Sequence, residues 1–117
     1  MAWDGTIVFL GTDNLDDNAV FYRDTLGLKL YKDQGVCRIY EVPGGGYLGF
    51  CTHLEKTQKG KAPIITLLAD DVDRWYQKIV DCGWEVEREP QHNQKFNIYH
   101  FFTKDPDGYS VEIQKFL

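Results

Sequence analysis

Residues 105–113 read Asp-Pro-Asp-Gly-Tyr-Ser-Val-Glu-Ile, which predicts a tight turn followed by a β-strand. A weaker copy, Pro-Gly-Gly-Gly-Tyr-Leu-Gly-Phe, occupies residues 43–50, and the two Gly-Tyr pairs lie 62 positions apart (108 − 46). An echo at that distance in a chain of 117 residues indicates that one structural unit occurs twice. Aligned through these pairs, Phe50 in the first half takes the place of Glu112 in the second.

The first half reads as one strand, one helix and three further strands. Residues 6–10 are rich in β-branched and aromatic side chains, as strands are. Asn14 is expected to cap a helix whose apolar residues recur at helical spacing as far as Leu26, and Gly27 is expected to end it. Strand-like segments, each bounded by glycine, aspartate or proline, follow at 28–31, 36–42 and 47–52.

The second half repeats this order. A strand at 63–68 precedes a helix that Asp70 or Asp71 caps and that Gly83 ends. An alternating segment at 84–87 then matches the one that follows Gly27 in the first half. A polar loop at 88–95 separates it from the two final strands, which are predicted at 97–103 and 109–115.

The chain is therefore predicted to form a single α+β domain, residues 1–117. Two βαβββ modules, at about 5–53 and 63–117, are joined by a polar linker at 54–62. A length of 117 residues, with 43% hydrophobic and 26% charged residues, is typical of a soluble globular domain with a substantial core.

Charge and hydropathy argue against two classes of partner. No apolar run approaches the ~20 residues of a membrane helix. The net charge of −5 disfavours nucleic acid, whose phosphates require a basic surface, and the lysines within 56–61 are interpreted as a solvated loop. The cysteines are odd in number and form no C-x-x-C pair, so we expect reduced thiols in a cytoplasmic protein at Cys37, Cys51 and Cys82.

Three local motifs point to a known family. They are Phe-Tyr-Arg-Asp-Thr-Leu-Gly-Leu at 21–28, Asp-Val-Asp at 71–73, and Asp-Pro-Asp-Gly at 105–108 with Glu112 in the following strand. Over nearly its whole length, the chain resembles the vicinal oxygen chelate superfamily, which includes glyoxalase I, bleomycin-resistance proteins and extradiol dioxygenases. The resemblance implies that the two modules form a curved, half-barrel mixed sheet around a cup, with helices on the outer face. It also implies a homodimer.

The resemblance further implies where a metal ion would be held. Metal-dependent members take one ligand from the first strand and one from the last strand of each module, and the divalent ion polarises oxygen atoms of the substrate. Carried over position by position, these ligand positions fall on Ile7, Phe50, Ile64 and Glu112. Three of the four side chains are apolar, so Glu112 is the only ligand position retained. We therefore expect neither a metal site nor another cofactor.

Strand alternation predicts the side chains that line the cup. If Glu112 points inward, Ser110 does too, and the resemblance places His100 and Phe102 on the same face. Subtracting the offset of 62 from His100 and Phe102 gives Arg38 and Tyr40 as the equivalent residues of the first module. Glu112 and His100 are the candidate catalytic residues. The candidate ligand-binding residues are Phe9, Arg38, Tyr40, Phe50, Thr66, Phe102 and Ser110.

Structural roles remain open for the polar candidates. Glu112 either contacts a ligand or forms a salt link with Arg38 or His100 across the cup. His100 either acts as a general acid or base, since its pKa is ordinarily close to neutrality, or is a hydrogen-bonded residue of the cavity wall.

Three functions follow from these alternatives. The first is a metal-free small-molecule-binding protein, similar to bleomycin-resistance proteins, that holds a hydrophobic or aromatic compound in its cup. The second is a superfamily enzyme, namely a lactoylglutathione-lyase-like lyase, an isomerase or a dioxygenase. It would use a divalent metal or a His100/Glu112 acid–base pair. The third is an interaction module whose cup is filled by its own side chains.

Overall fold

The computed structural model describes residues 1–57 and 63–117. The chain falls into two compact units, divided after Thr57. Part of the predicted linker, including Lys59 and Lys61, lies outside the described residues. No described helix has the length and apolar composition needed to cross a membrane.

The first unit is a βαβββ module. Its elements are β1 (Thr6–Gly11), α1 (Leu15–Ala19), β2 (Lys29–Asp33), β3 (Cys37–Val42) and β4 (Gly46–Cys51). The helix continues into a π-helical turn, Val20–Thr25. The sheet has the order β1-β4-β3-β2, in which β1 and β4 are parallel and the other neighbours are antiparallel.

The second unit has the same order of elements, namely β5 (Ile64–Leu68), α2 (Val72–Asp81), β6 (Gln91–Asn93), β7 (Ile98–Lys104) and β8 (Ser110–Phe116). It also has the same sheet topology, β5-β8-β7-β6, again with one parallel pair, β5 and β8. The predicted α+β class with two βαβββ modules is thereby confirmed.

Local signals account for the position of the first helix. The Oδ1 atom of Asn14 accepts hydrogen bonds from the backbone N–H groups of Asp16 and Asp17, each at 2.9 Å, so the predicted cap is confirmed. The helix then packs on its own sheet through Tyr22, whose ring centroid lies 4.4 Å from that of Phe50. Both aromatic side chains are completely buried.

The segment after α2 differs from the prediction. Residues 84–87 contribute only a single bridge, from Val86 to Thr103, and not a strand. The edge strand is β6, within the segment predicted to be a loop, and it begins directly after Pro90. A proline has no N–H for strand pairing, so regular pairing with β7 starts only beyond it.

The structure corrects the alignment of the two modules by one residue. Gly45 (φ 97°) and Gly108 (φ 89°) share a left-handed conformation at equivalent turns, 63 positions apart (108 − 45). The core agrees, because Phe50 and Ile113 are also 63 apart and both are buried. The offset of 62 is wrong because residues 44–46 are all glycine, and composition alone does not distinguish which of them forms the turn.

A shift of one residue moves a strand side chain to the opposite face of its sheet. Phe50 therefore faces the helix and does not take the place of Glu112. Arg38 pairs directly with Phe50 across β3 and β4, and Tyr40 lies two residues further along β3, so both share its helix-facing side. The residue equivalent to Glu112 in the first module is Gly49 (112 − 49 = 63).

Candidate functional site

A buried carboxylate forms the centre of the second sheet. Glu112 is 8% exposed, and its Oε1 atom accepts a hydrogen bond from the Thr66 hydroxyl at 2.8 Å. Its Oε2 atom lies 2.6 Å from Nδ1 of His100. With the Gln114 amide nitrogen facing the carboxylate, that group donates to Oε2 at 3.0 Å and to Oε1 at 3.2 Å. We call these four residues the Glu112 cluster.

The strand register brings the cluster together. Thr66 pairs with Glu112 across β5 and β8, and His100 pairs with Gln114 across β7 and β8. Paired and alternate residues share one face of a sheet, so all four side chains lie on the same side. That side is opposite α2, because the intervening Phe101 contacts Tyr76 of the helix with ring centroids 5.3 Å apart. We call it the Glu112 face.

The hydrogen bonds explain how a carboxylate is tolerated there. A buried charge is costly unless it is paired and hydrogen-bonded, and Glu112 receives donors on both oxygens. The carboxylate in turn fixes the orientation of His100, because Nδ1 is committed to it. Both oxygens of Glu112 therefore have hydrogen-bond partners within the protein.

The Nε2 side of the His100 ring is available to a bound molecule. Among residues 1–57 and 63–117, no group hydrogen-bonds to its Nε2 atom, and the side chain is 17% exposed. The ring stands edge-on to Phe102, with centroids 5.5 Å apart. Both side chains line a cavity of about 320 Å³, whose other wall is formed by residues 87–89 and 91–94. An imidazole held on one side and open on the other can exchange a hydrogen bond or a proton with a bound molecule.

Thr66, Phe102 and Ser110, the other candidates of the second module, lie on the same face. Ser110 pairs with Lys104, and its hydroxyl oxygen accepts a hydrogen bond from the lysine ammonium at 2.8 Å. The Ser110 hydroxyl therefore already has a hydrogen-bond partner, at one end of the face, whereas Thr66 and Phe102 are the cross-strand neighbours of Glu112.

The first-module candidates do not form a matching cluster. Arg38 donates to the backbone oxygen of Leu15 at 3.2 Å and to the carboxylate of Asp16 at 3.0 Å, so it ties the sheet to the helix. Burial raises the pKa of the Tyr40 hydroxyl, an effect that the Arg38 cation opposes. Neither residue lies on the same face as Phe9, which alternates onto the side opposite the helix and is 47% exposed.

The residues at the family ligand positions do not fit a metal ion. With the corrected alignment these positions hold Ile7, Gly49, Ile64 and Glu112, and only the last carries a ligand atom. The space beside Gly49 is also filled, because a Cβ atom there would lie 2.5 Å from the ring of Phe9. A carboxylate alone is too few ligands for a protein-held divalent ion.

The structure also reveals a cysteine pair that sequence reasoning missed. Cys37 and Cys51 are bonded as a disulfide, so the expectation of reduced thiols is wrong for these two, while Cys82 is free and exposed. The corrected offset would have given a signal. Cys37 then aligns with His100 and Cys51 with Gln114, both 63 residues on, and those two positions pair directly.

Duplicated βαβββ modules with mixed four-stranded sheets, and a carboxylate at the last-strand ligand position, are the features of a vicinal oxygen chelate protein. The chain belongs to the Glyoxalase/Bleomycin resistance protein/Dioxygenase superfamily, whose family model matches residues 6–113.

Solved structures share this fold at low sequence identity. A glyoxalase/bleomycin resistance protein/dioxygenase from Nocardioides has a TM-score of 0.78 at 20% identity, covering 96% of this chain and 82% of its own. A glyoxalase/dioxygenase from Nostoc punctiforme has 0.79 at 17%, with coverages of 95% and 89%. A lactoylglutathione lyase from Agrobacterium tumefaciens has 0.74 at 24%, with coverages of 94% and 91%. No curated protein matched the chain.

Proposed function

We propose that the protein binds a small organic molecule on the Glu112 face of the second module, without a metal ion of the family type. The observation that carries the proposal is the geometry of His100. Its Nδ1 atom is held by a buried carboxylate, while its Nε2 atom has no partner among the described residues and its ring borders a cavity of about 320 Å³. Organic-ligand sites combine oriented polar groups with apolar surface, and here His100 lies beside Phe102 while the opposite wall, residues 87–89 and 91–94, is mostly polar.

The surrounding side chains favour a ligand with a hydrophobic or aromatic body. Phe102 presents its ring next to His100. Ile64 and Leu68 alternate with Thr66 along β5, so they lie on the same face beyond β8, outside the lining of the cavity, and are 55% and 65% exposed. Apolar groups that cover these side chains would gain roughly 25 cal/mol for each Å² removed from water. A polar atom of the ligand would meet Nε2, which donates or accepts according to the tautomer.

A second candidate function is acid–base catalysis by His100. The 2.6 Å contact between Nδ1 and Glu112 supports it, because a carboxylate that orients an imidazole is the usual arrangement of a histidine base. The likeness to a lactoylglutathione lyase makes thioesters of hydroxy acids a reasonable class of substrate to test. Replacing Glu112 with Gln would then lower turnover by about 10²-fold or more while binding persists.

A thermal-shift screen tests the binding proposal. The probes are aromatic antibiotics, quinones and thioesters, with chelator present and the cysteine pair kept oxidised. At tenfold excess over Kd, a ligand specific to the folded state adds about 1.4 kcal/mol of stability, or roughly 5 °C in Tm.

The variants locate the site. His100→Ala is expected to abolish the shift, whereas Tyr99→Phe, the next residue on the same strand but on the opposite face, is expected to preserve it. Equal shifts in both variants, or no shift with any class of probe, would contradict the proposal. A shift that is seen only when chelator is omitted would indicate that binding requires a metal ion.

Assembly and location belong to the same proposal. A homodimer is supported by the edge strand β1, where Ile7, Val8 and Phe9 are each 40–50% exposed, and by Trp3, which is 98% exposed. Light scattering should then give twice the chain mass of 13.6 kDa. A cytoplasmic location would keep Cys37 and Cys51 reduced for much of the time, since thiol reductants predominate there.

A further inference from the structure

The first module carries a second chemical cluster on the sheet face opposite its helix. Cys37 and Cys51 are direct partners across β3 and β4, with Cα atoms 4.1 Å apart, and their side chains are joined in a disulfide. His53 follows two residues after Cys51, and its Nδ1 atom lies 3.9 Å from Sγ of Cys37. The two sulfurs and one imidazole nitrogen all lie within 4.8 Å of one another.

The cysteine pair lies at positions that are equivalent to part of the Glu112 cluster. It occupies the register positions that His100 and Gln114 hold in the second module, 63 residues on. The two copies of the module thus place different chemistry at one location, namely polar groups around a carboxylate in one and thiols beside an imidazole in the other. Gly49, at the position of Glu112, carries no ligand atom, and among the described residues the ligand atoms grouped at this place are those of Cys37, Cys51 and His53.

We propose that the reduced Cys37–Cys51 pair, together with His53, binds a thiophilic metal ion such as Zn²⁺, and that the disulfide closes this site. Two thiolates and one imidazole are a recognised zinc ligand set that leaves one position open. Ligand distances of ~2.3 Å for sulfur and ~2.0 Å for nitrogen require the sulfurs to be about 3.8 Å apart. Cross-strand partners whose Cα atoms are 4.1 Å apart reach that separation through rotation about χ1, once no bond joins them.

The burial pattern suits a switchable site. The Cys37 and Cys51 residues are 6% and 1% exposed, so the thiolates are shielded from bulk solvent, which favours a bound cation over free charge. His53 is exposed, so its side chain is free to turn toward the ion and provides the route of entry. The proposal does not depend on the ligand-binding function of the second module.

The redox step balances with a thiol reductant. A dithiol donates two electrons to the Cys37–Cys51 bond, which breaks to give two thiols, while the two sulfurs of the reductant join in a disulfide. Zinc then displaces the thiol protons as it binds. A low-molecular-weight disulfide reverses the sequence, re-forms the protein disulfide and releases the metal.

The experiment is a zinc titration of the Cys82→Ser protein, which removes the exposed free thiol. A phosphine keeps one sample reduced, and the matched sample is oxidised. We expect one zinc per chain in the reduced sample and less than ~0.1 in the oxidised one. Cobalt in the reduced sample should give a near-ultraviolet band for charge transfer from thiolate to metal. Equal zinc binding in both redox states, or none in the reduced state, would overturn the proposal.

Variants assign the ligands. His53→Ala is expected to weaken zinc binding at least about tenfold, and His92→Ala, a substitution of another exposed histidine, should leave it unchanged. Cys37→Ser with Cys51→Ser should abolish the cobalt band. The His53 comparison remains decisive if the double variant does not fold, because an exposed residue contributes little to stability. Binding that is unaffected by His53→Ala would show that the imidazole is not a ligand and would contradict the proposed site.

Discussion

Replacing Glu112 tests whether the buried carboxylate organises the second module. Glu112→Leu removes the acceptor and leaves three donor groups facing an apolar side chain, those of Thr66, His100 and Gln114. The threonine is exposed and regains water, so it adds little. The other two are largely buried, and a buried donor without an acceptor costs about 1.5 kcal/mol. The expected loss of unfolding free energy is therefore about 3 kcal/mol.

The conservative variant sharpens the test. Glu112→Gln keeps one oxygen for Thr66, and its amide can donate to Nδ1 of His100 if the imidazole proton moves to Nε2. Gln114 can turn its amide oxygen toward the new donor, so the expected loss is only about 1 kcal/mol. Glu41→Gln, an exposed carboxylate of β3, serves as the matched control and should lie within about 0.5 kcal/mol of the parent.

Urea denaturation, followed by circular dichroism with the disulfide intact, supplies the free energies. The order predicted is Glu112→Leu well below Glu112→Gln, with Glu41→Gln close to the parent. A Glu112→Leu protein as stable as the control would show that the three donor groups do not depend on the carboxylate.

Three further variants probe other parts of the structure. Asn14→Ala should lower the unfolding free energy by about 1 kcal/mol through loss of the helix cap, whereas a loss below about 0.3 kcal/mol in urea denaturation would contradict that role. Gly49→Ala should cost about 1–2 kcal/mol because its Cβ meets the Phe9 ring. In a double-mutant cycle, Phe9→Ala should recover at least about 0.5 kcal/mol of this, and strict additivity would argue against the contact. The hydrogen bond to Asp73 raises the pKa of Tyr99, so its stabilisation is present below the unfolded pKa of about 10 and is lost as pH rises through the folded value. The stability gap to Tyr99→Phe should therefore shrink in alkaline denaturation series, and a gap that does not change with pH would count against it.

Much of the fold could be predicted because its signals are local. The Asn14 cap, the terminating glycines and the repeated turn before β8 each follow from the conformational preferences of single residues. Gly27 and Gly83, with φ of 74° and 86°, lie at equivalent helix ends, as their spacing predicted. Such features require no knowledge of distant contacts.

The register of β4 could not be predicted from local conformational preferences. Three consecutive glycines, Gly44 to Gly46, satisfy the turn equally well in sequence, Gly44 and Gly45 both have a positive φ, and only the pairing of the completed sheet aligns Gly45 with Gly108. Because side chains alternate along a strand, that single residue moved Phe50 to the helix side. The candidate site in the first module was misplaced for the same reason.

The cysteine pair could not be recognised from spacing alone. Cys37 and Cys51 are 14 residues apart, and no short motif links them. Their contact arises from antiparallel pairing of β3 with β4, so it depends on the register that the glycine run obscured. In the second module, by contrast, the turn contains a single glycine, and His100, which the resemblance places on the face of Glu112, lies on that face together with Thr66.

A ligand that contacts His100 on the Glu112 face without a family-type metal ion can be observed at the imidazole itself. Nitrogen NMR of the His100 imidazole, with a probe from the thermal-shift screen and with chelator present, tests this contact most directly. We expect the Nε2 resonance to shift on saturation with the probe while Nδ1, held by Glu112, changes little, and we expect chelator to have no effect. An unchanged Nε2 resonance in the bound state, or loss of binding on addition of chelator, would contradict it.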